Sequence, residues 1–224
     1  MSQHFLREIE ALKKKILAVG ALVEERLSQA ITALVKHDEH LAQQVAKGDD
    51  EVDEMEVEVE EDCLKILALY QPVAIDLRFV VAVLKMNNDL ERIADTCVNI
   101  ARRAEYLANW PNLEVPQLLI EMAQKAQTMV QQSLDALIQS DVELARKVCG
   151  ADREVDQLNK QMHVDIQQEM KEHPDQIERL IHTLSVSRHL ERIGDLATNV
   201  AEDVIYTVEG EIVRHRTAAY TKST

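Results

Sequence analysis

Four pairs of acidic residues stand four positions apart in this chain: Asp49 with Asp53, Glu91 with Asp95, Asp152 with Asp156, and Glu191 with Asp195. On a helix, residues at that spacing share a face, with Cβ atoms about 5–6 Å apart. Like charges so placed cost about 0.2–0.5 kcal/mol per pair, so a single pair is compatible with a plain solvated surface. Two pairs in each half of the chain ask for more. Asn99 and Asn199 extend the later stripes by one turn, and Asp203 extends the last of them again. Glu, Asp and Asn offer oxygen ligands suited to hard or borderline cations such as Mg, Mn, Ca, Fe or Zn. Facing helices that carry such pairs would make an oxygen-rich site for one or several divalent or trivalent ions.

Other chemistry is poorly represented. None of the eight histidines follows a glutamate at the Glu-x-x-His spacing, which is the usual ligand pattern of di-iron helical bundles. That argues against an oxidase. His163, His182 and His189 read as surface or satisfied helix residues, with His189 the best placed as a ligand because it precedes the last acidic motif. Arg92 and Arg192 lie inside the motifs as plausible counter-charges. There is no GxGxxG, GxxxxGK[ST] or GxSxG, hence no nucleotide cradle and no nucleophile elbow. Cys63, Cys97 and Cys149 are far apart and odd in number, which reads as buried reduced thiols of a cytosolic protein.

The elements that must carry these groups are helices. Phe5, Ile9, Leu12, Ile16, Val19, Val23, Leu27, Ala30 and Leu34 recur at steps of three and four, one apolar stripe on a long amphipathic helix. Asp38 reads as an N-cap, a short helix carries Leu41 and Val45 and stops at Gly48, and Asp49 opens a third helix that ends before Pro72. A long helix from about Val73 to Ala108 completes the half. Asn109 to Pro116 is the expected linker. The second half opens with the stripe Leu119, Met122, Ala126, Met129, Ser133 and Leu137. Asp141 to Val148 reads as a short helix stopped by Gly150, then Asp152 to about Lys171 as the next, broken by Pro174. The last helix runs from about Asp175 to Val208, and the tail to Thr224 is expected to fray.

Turning about 100° per residue, Glu91 and Asp95 point nearly opposite Leu90, Ile93, Cys97 and Ile100, so a site there would lie on the bundle surface within reach of solvent. Phe79 to Leu84, and Leu180, Ile181 and Leu184, are apolar on several sides, which places those segments between the two halves or against a second copy.

Composition agrees with a helical reading. The 224 residues include only 5 Gly and 4 Pro, too few for a fold with many turns. Aromatics are 3%, so the core is aliphatic and base-stacking platforms are scarce. A formal net charge of −15 argues against nucleic-acid binding and favours cations or basic protein surfaces. The run Asp49 to Asp62 holds ten acidic residues among fourteen; it reads as a solvated negative face or a docking surface for a basic partner. No run of about 18 apolar residues exists, so no membrane insertion is expected.

The halves are copies. Residues 90–99 read LERIADTCVN and residues 190–199 read LERIGDLATN, six of ten identical. Glu51-Val52-Asp53 matches Glu154-Val155-Asp156, and Gly48 and Gly150 each stand just before the copied acidic turn. This is tandem duplication. The expected fold is all-α, two pseudo-symmetric three-helix bundles over residues 1–110 and 115–210, with a flexible tail at 211–224.

DLERIAD at 89–95, HLERIGDLATNVAEDVIY at 189–206 and QPVAIDLR at 71–78 resemble the signature segments of the PhoU family of phosphate-transport regulators, and the resemblance spans essentially the whole chain. It departs from the usual pattern at Ala94, where Gly is commoner, and at Cys97, without removing a carboxylate. The resemblance implies a cytoplasmic, homodimeric protein that binds metal ions (Fe, Zn, Mn or Mg) through Asp49/Asp53 with Glu91/Asp95 and Asp152/Asp156 with Glu191/Asp195. It implies a negative regulator of the phosphate-starvation response and modulator of high-affinity phosphate uptake. Its partners would be the ATPase subunit of the phosphate ABC transporter and a membrane sensor histidine kinase. Nothing in it implies catalysis. A metal-dependent helical-bundle enzyme or metal store is the alternative, and a structural helical repeat without metal is the third reading.

Overall fold

The computed structural model describes residues 3–48, 50–110 and 114–211. They are almost wholly helical. The first half comprises α1 (Gln3–Lys36), α2 (Glu39–Lys47), α3 (Asp50–Tyr70) and α4 (Ala74–Ala108). The second comprises α5 (Gln117–Gln139), α6 (Val142–Glu172), a single 3-10 turn (Pro174–Gln176) and α7 (Ile177–Glu209).

Each half folds by the same local devices. α1 and α5 both end in a residue with left-handed backbone, His37 at φ 53° and Ser140 at φ 54°, which turns the chain sharply. The next residue in each case is an aspartate that caps the following helix. Asp38 accepts from the Leu41 amide at 2.9 Å, and Asp141 accepts from the Leu144 amide at 3.0 Å. Each satisfies one of the amides that a helix start leaves without a partner.

The halves then diverge. The first stops at Gly48 and restarts as α3, whereas α6 runs unbroken through Gly150, contrary to the short helix expected there. The capping aspartates supply the reason. They lie 103 positions apart, and at that register Gly48 corresponds to Ala151, not to Gly150. Alanine is the best helix former and glycine costs about 1 kcal/mol more in a helix interior. Val148, Cys149 and Val155 are buried around Gly150, so packing carries that glycine through.

α4 and α7 form the spine, and the contact between them is the most extensive between any two helices. α1, α2 and α3 pack on α4; α5 and α6 pack on α7; α1 also meets α5. The apolar stripe of α4 (Val83, Met86, Leu90, Ile93, Cys97, Ile100) and that of α7 (Val186, Leu190, Ile193, Ala197, Val200, Val204) are buried in one continuous aliphatic core that includes both halves. The two bundles are thus welded rather than strung together. Lys85 reaches across to Asp203 at 3.4 Å and lies 5.1 Å from the Tyr206 ring. Tyr106 of α4 stacks on His182 of α7 at 3.8 Å, so that histidine is part of the seam. The reading of apolar surroundings holds for Val80, Ala82, Val83 and Leu180, but Ile181 is 54% exposed, because it lies on the face of α7 turned away from the seam.

The three cysteines are buried, and among the described residues none forms a disulfide. Burial, then Asp62 and Glu60, push the Cys63 thiol up to about 12, which leaves it unreactive. No described helix is long and apolar enough to cross a membrane.

Candidate functional site

The second half brings its four sequence-predicted carboxylates within electrostatic reach of one another. Asp152 and Asp156 sit one turn apart in the interior of α6, and Glu191 and Asp195 one turn apart on the facing α7. Burial, followed by the charges of Asp195, Asp156, Glu191 and Glu202, pushes Asp152 from 3.8 up to about 6. Burial, Asp195 and Asp156 raise Glu191, against the opposing pull of Arg188 and Lys160. Burial and Asp156 raise Asp195. Every shift has the same sign because removing water and adding like charge both disfavour the carboxylate. The set remains open to solvent: Asp195 is exposed and the other three are partly so. Lys160 lies 3.9 Å from Asp156 but is itself 79% exposed, where screening makes such a pair weak.

The donor set, all carboxylate oxygen, fits a hard cation, which would relieve the repulsion that raises these groups. The side chains do not close around one point, however. Among the described residues no group of three or more His, Cys, Asp or Glu is gathered as a metal cage.

The first half places its counterparts differently. Asp53 lies in the first turn of α3, while Glu91 and Asp95 lie on α4, with Asp53 and Asp95 exposed. Asp49 lies outside the described residues. A helix start presents free amides and the positive end of the helix dipole, which favours acidic residues by about 0.3–1 kcal/mol. Asp50, Glu51 and Asp53 all enjoy that position; Asp152 and Asp156, inside the unbroken α6, do not.

A cation of the protein's own also stands in the first half. Arg26 of α1 reaches Glu51 at 3.4 Å with its side chain only 19% exposed. Its guanidinium lies over the α2–α3 break, where a Cβ on Gly48 would come within 2.5 Å of Nη1. At the 103-residue register the position of Arg26 is taken in the second half by Met129, which is buried against Gly194 beside the Asp152 carboxylate. Glu154, the counterpart of Glu51, is held instead by Lys125 at 2.6 Å from the outer side of α5. Sequence reasoning missed Arg26 and Met129, which stand on other helices than the acids; the 103-residue offset between the Asp49/Asp53 and Asp152/Asp156 pairs aligns the two positions.

His189 stands just before the last acidic motif. It lies 3.4 Å from Ser185, and burial together with Arg103, Arg192 and Arg188 lowers it.

Comparison with known proteins gives this arrangement a family. The PhoU domain model matches twice, over residues 16–104 and 119–204. The chain belongs to the PhoU family. It is 41% identical over 218 residues to the phosphate-specific transport system accessory protein PhoU homolog of Pseudomonas aeruginosa, covering 96% of this chain and 89% of that protein. It is 41% identical to the homolog of Aquifex aeolicus, covering 94% and 95%. The crystal structure of PhoU from Pseudomonas aeruginosa superposes with a TM-score of 0.87 at 40% identity, over 92% of this chain and all of that one. That of the phosphate transport system regulatory protein PhoU from Streptococcus pneumoniae gives 0.86 at 29% identity, covering 93% and 99%. These relatives are named as accessory and regulatory proteins of phosphate transport.

Proposed function

We propose that this chain is a cytoplasmic, homodimeric negative regulator of the phosphate-starvation response that modulates high-affinity phosphate uptake. It acts as an adaptor, engaging the ATPase subunit of the phosphate ABC transporter and a membrane sensor histidine kinase, with metal ions at the acidic stripes. The observation that carries this reading is the twofold family match along both halves, with relatives named as accessory proteins of the phosphate-specific transport system. The electrostatics support the cation part. Four carboxylates that repel one another across α6 and α7, on a face open to water, are a surface whose charge a cation would cancel. Filling the site would draw the two helices together and change what a partner meets.

Co-purification tests the adaptor role: the chain is expected to retain both the transporter ATPase and the kinase sensor domain at physiological salt. Retention of neither would sink it. Size-exclusion chromatography with light scattering checks the dimer. Nothing in the fold favours the metal-store alternative, which lacks Glu-x-x-His ligand pairs.

A further inference from the structure

We propose that Arg103 of α4, together with Ser185, His189, Arg188 and Arg192 of α7, forms a site for a phosphate-type oxyanion across the seam between the two halves. The site stands apart from the cation reading above. Tyr106 stacks on His182 at 3.8 Å and Lys85 reaches Asp203, so α4 and α7 lie antiparallel. One turn back along α4 from Tyr106, Arg103 comes level with Ser185. On α7, His182, Ser185 and His189 follow at steps of three and four and so share one face, where the Ser185 hydroxyl lies 3.4 Å from His189 Nε2. Arg103 faces that stripe: its charge acts on both His182 and His189 from the opposite helix, and Arg192 and Arg188 add theirs at His189.

Three guanidiniums around one histidine reverse the field locally in a chain of net charge −15. They are not consumed by the protein's own acids. Among the described residues no side-chain hydrogen bond or ion pair holds Arg103, Arg188 or Arg192, and the Arg103 Nε is sealed from water with no partner. The acids at either end are turned to other groups. Glu178 accepts from the Tyr106 hydroxyl, and Glu191, although drawn by Arg188, lies with Asp195 and Asp156. Guanidinium forks match the oxygens of a phosphate, and serine and imidazole supply further hydrogen bonds. With Arg103 from the first half and the other groups from the second, the bound anion would tie the halves together.

Calorimetric titration of the full chain with inorganic phosphate tests this, in chelator so that no metal carries the anion. Saturable binding is expected, weaker at high salt. Arg103→Gln and Arg192→Gln should each weaken it about tenfold, the loss of one charge-assisted hydrogen bond, and Arg103→Lys should weaken it less. Lys65→Gln, which removes a positive charge on α3, should leave it unchanged. Circular dichroism checks that each variant folds; Arg192 is exposed, so its variant keeps the test decisive. A second arm uses glycerol phosphate. Tighter binding of inorganic phosphate would identify the free ion as the ligand, tighter binding of the ester a phosphomonoester, and either upholds the site. No saturable binding of either compound, or isotherms that Arg103→Gln and Arg192→Gln leave unaltered, would overturn it.

Discussion

The same motif stands in two settings in this molecule, and the contrast between the halves is more informative than their likeness. In the first, Gly48 breaks the chain, Asp53 falls in the opening turn of α3, and Arg26 leans over the break. In the second, Ala151 carries α6 through without interruption, Asp152 and Asp156 fall in its interior, and Met129 takes the place of Arg26. Duplication copied the carboxylates, while two of the positions around them differ, Gly48 against Ala151 and Arg26 against Met129. A carboxylate pair at helical spacing thus meets different surroundings in the two halves.

The largest test of this comparison concerns the frame the halves share. Leu90 and Leu190 are equivalent and fully buried in the common core, so Leu90→Ala and Leu190→Ala should each cost about 2–5 kcal/mol. Because the core is continuous, urea should unfold either variant in a single transition by circular dichroism; two separated transitions would break the picture of welded bundles.

The acidic site gives the next effect. Folding raises Asp152 from 3.8 to about 6, so the native state holds this proton more tightly than the unfolded chain. Its favourable contribution is present at low pH and is lost as pH rises from about 4 to about 6. Asp152→Asn removes that slope. In chelator, its urea midpoint should exceed wild type at pH 7, with the gap closing towards pH 4. A wild-type advantage at pH 7 without metal would contradict the repulsion argument.

The capping aspartates should behave alike in both halves, with Asp38→Ala and Asp141→Ala each losing about 1 kcal/mol by chemical denaturation. Smaller again, Ala151→Gly should cost no more than about 1 kcal/mol and bring the second half closer to the first. An added loss of hydrogen-exchange protection confined to residues near 151 would show the break being introduced.

Much of this fold could be read from residue types. The stripe from Phe5 to Leu34 and the repeated LERI segments specify long helices and a duplication, because a 3.6-residue period is a local property of the chain. The continuity of α6 could not be read that way. Gly150 looks like a helix stop, and only the burial of Val148, Cys149 and Val155 around it shows why it is not. The acidic pairs were likewise visible from spacing alone. Their different surroundings were not, since Arg26 stands on a different helix 25 residues from Glu51.

Anomalous scattering from crystals of the full chain soaked in Mn²⁺ tests the central claim most directly. The strongest peak should lie between α6 and α7, among Asp152, Asp156, Glu191 and Asp195. No peak there, or a stronger one beside Asp53, Glu91 and Asp95, would contradict the account.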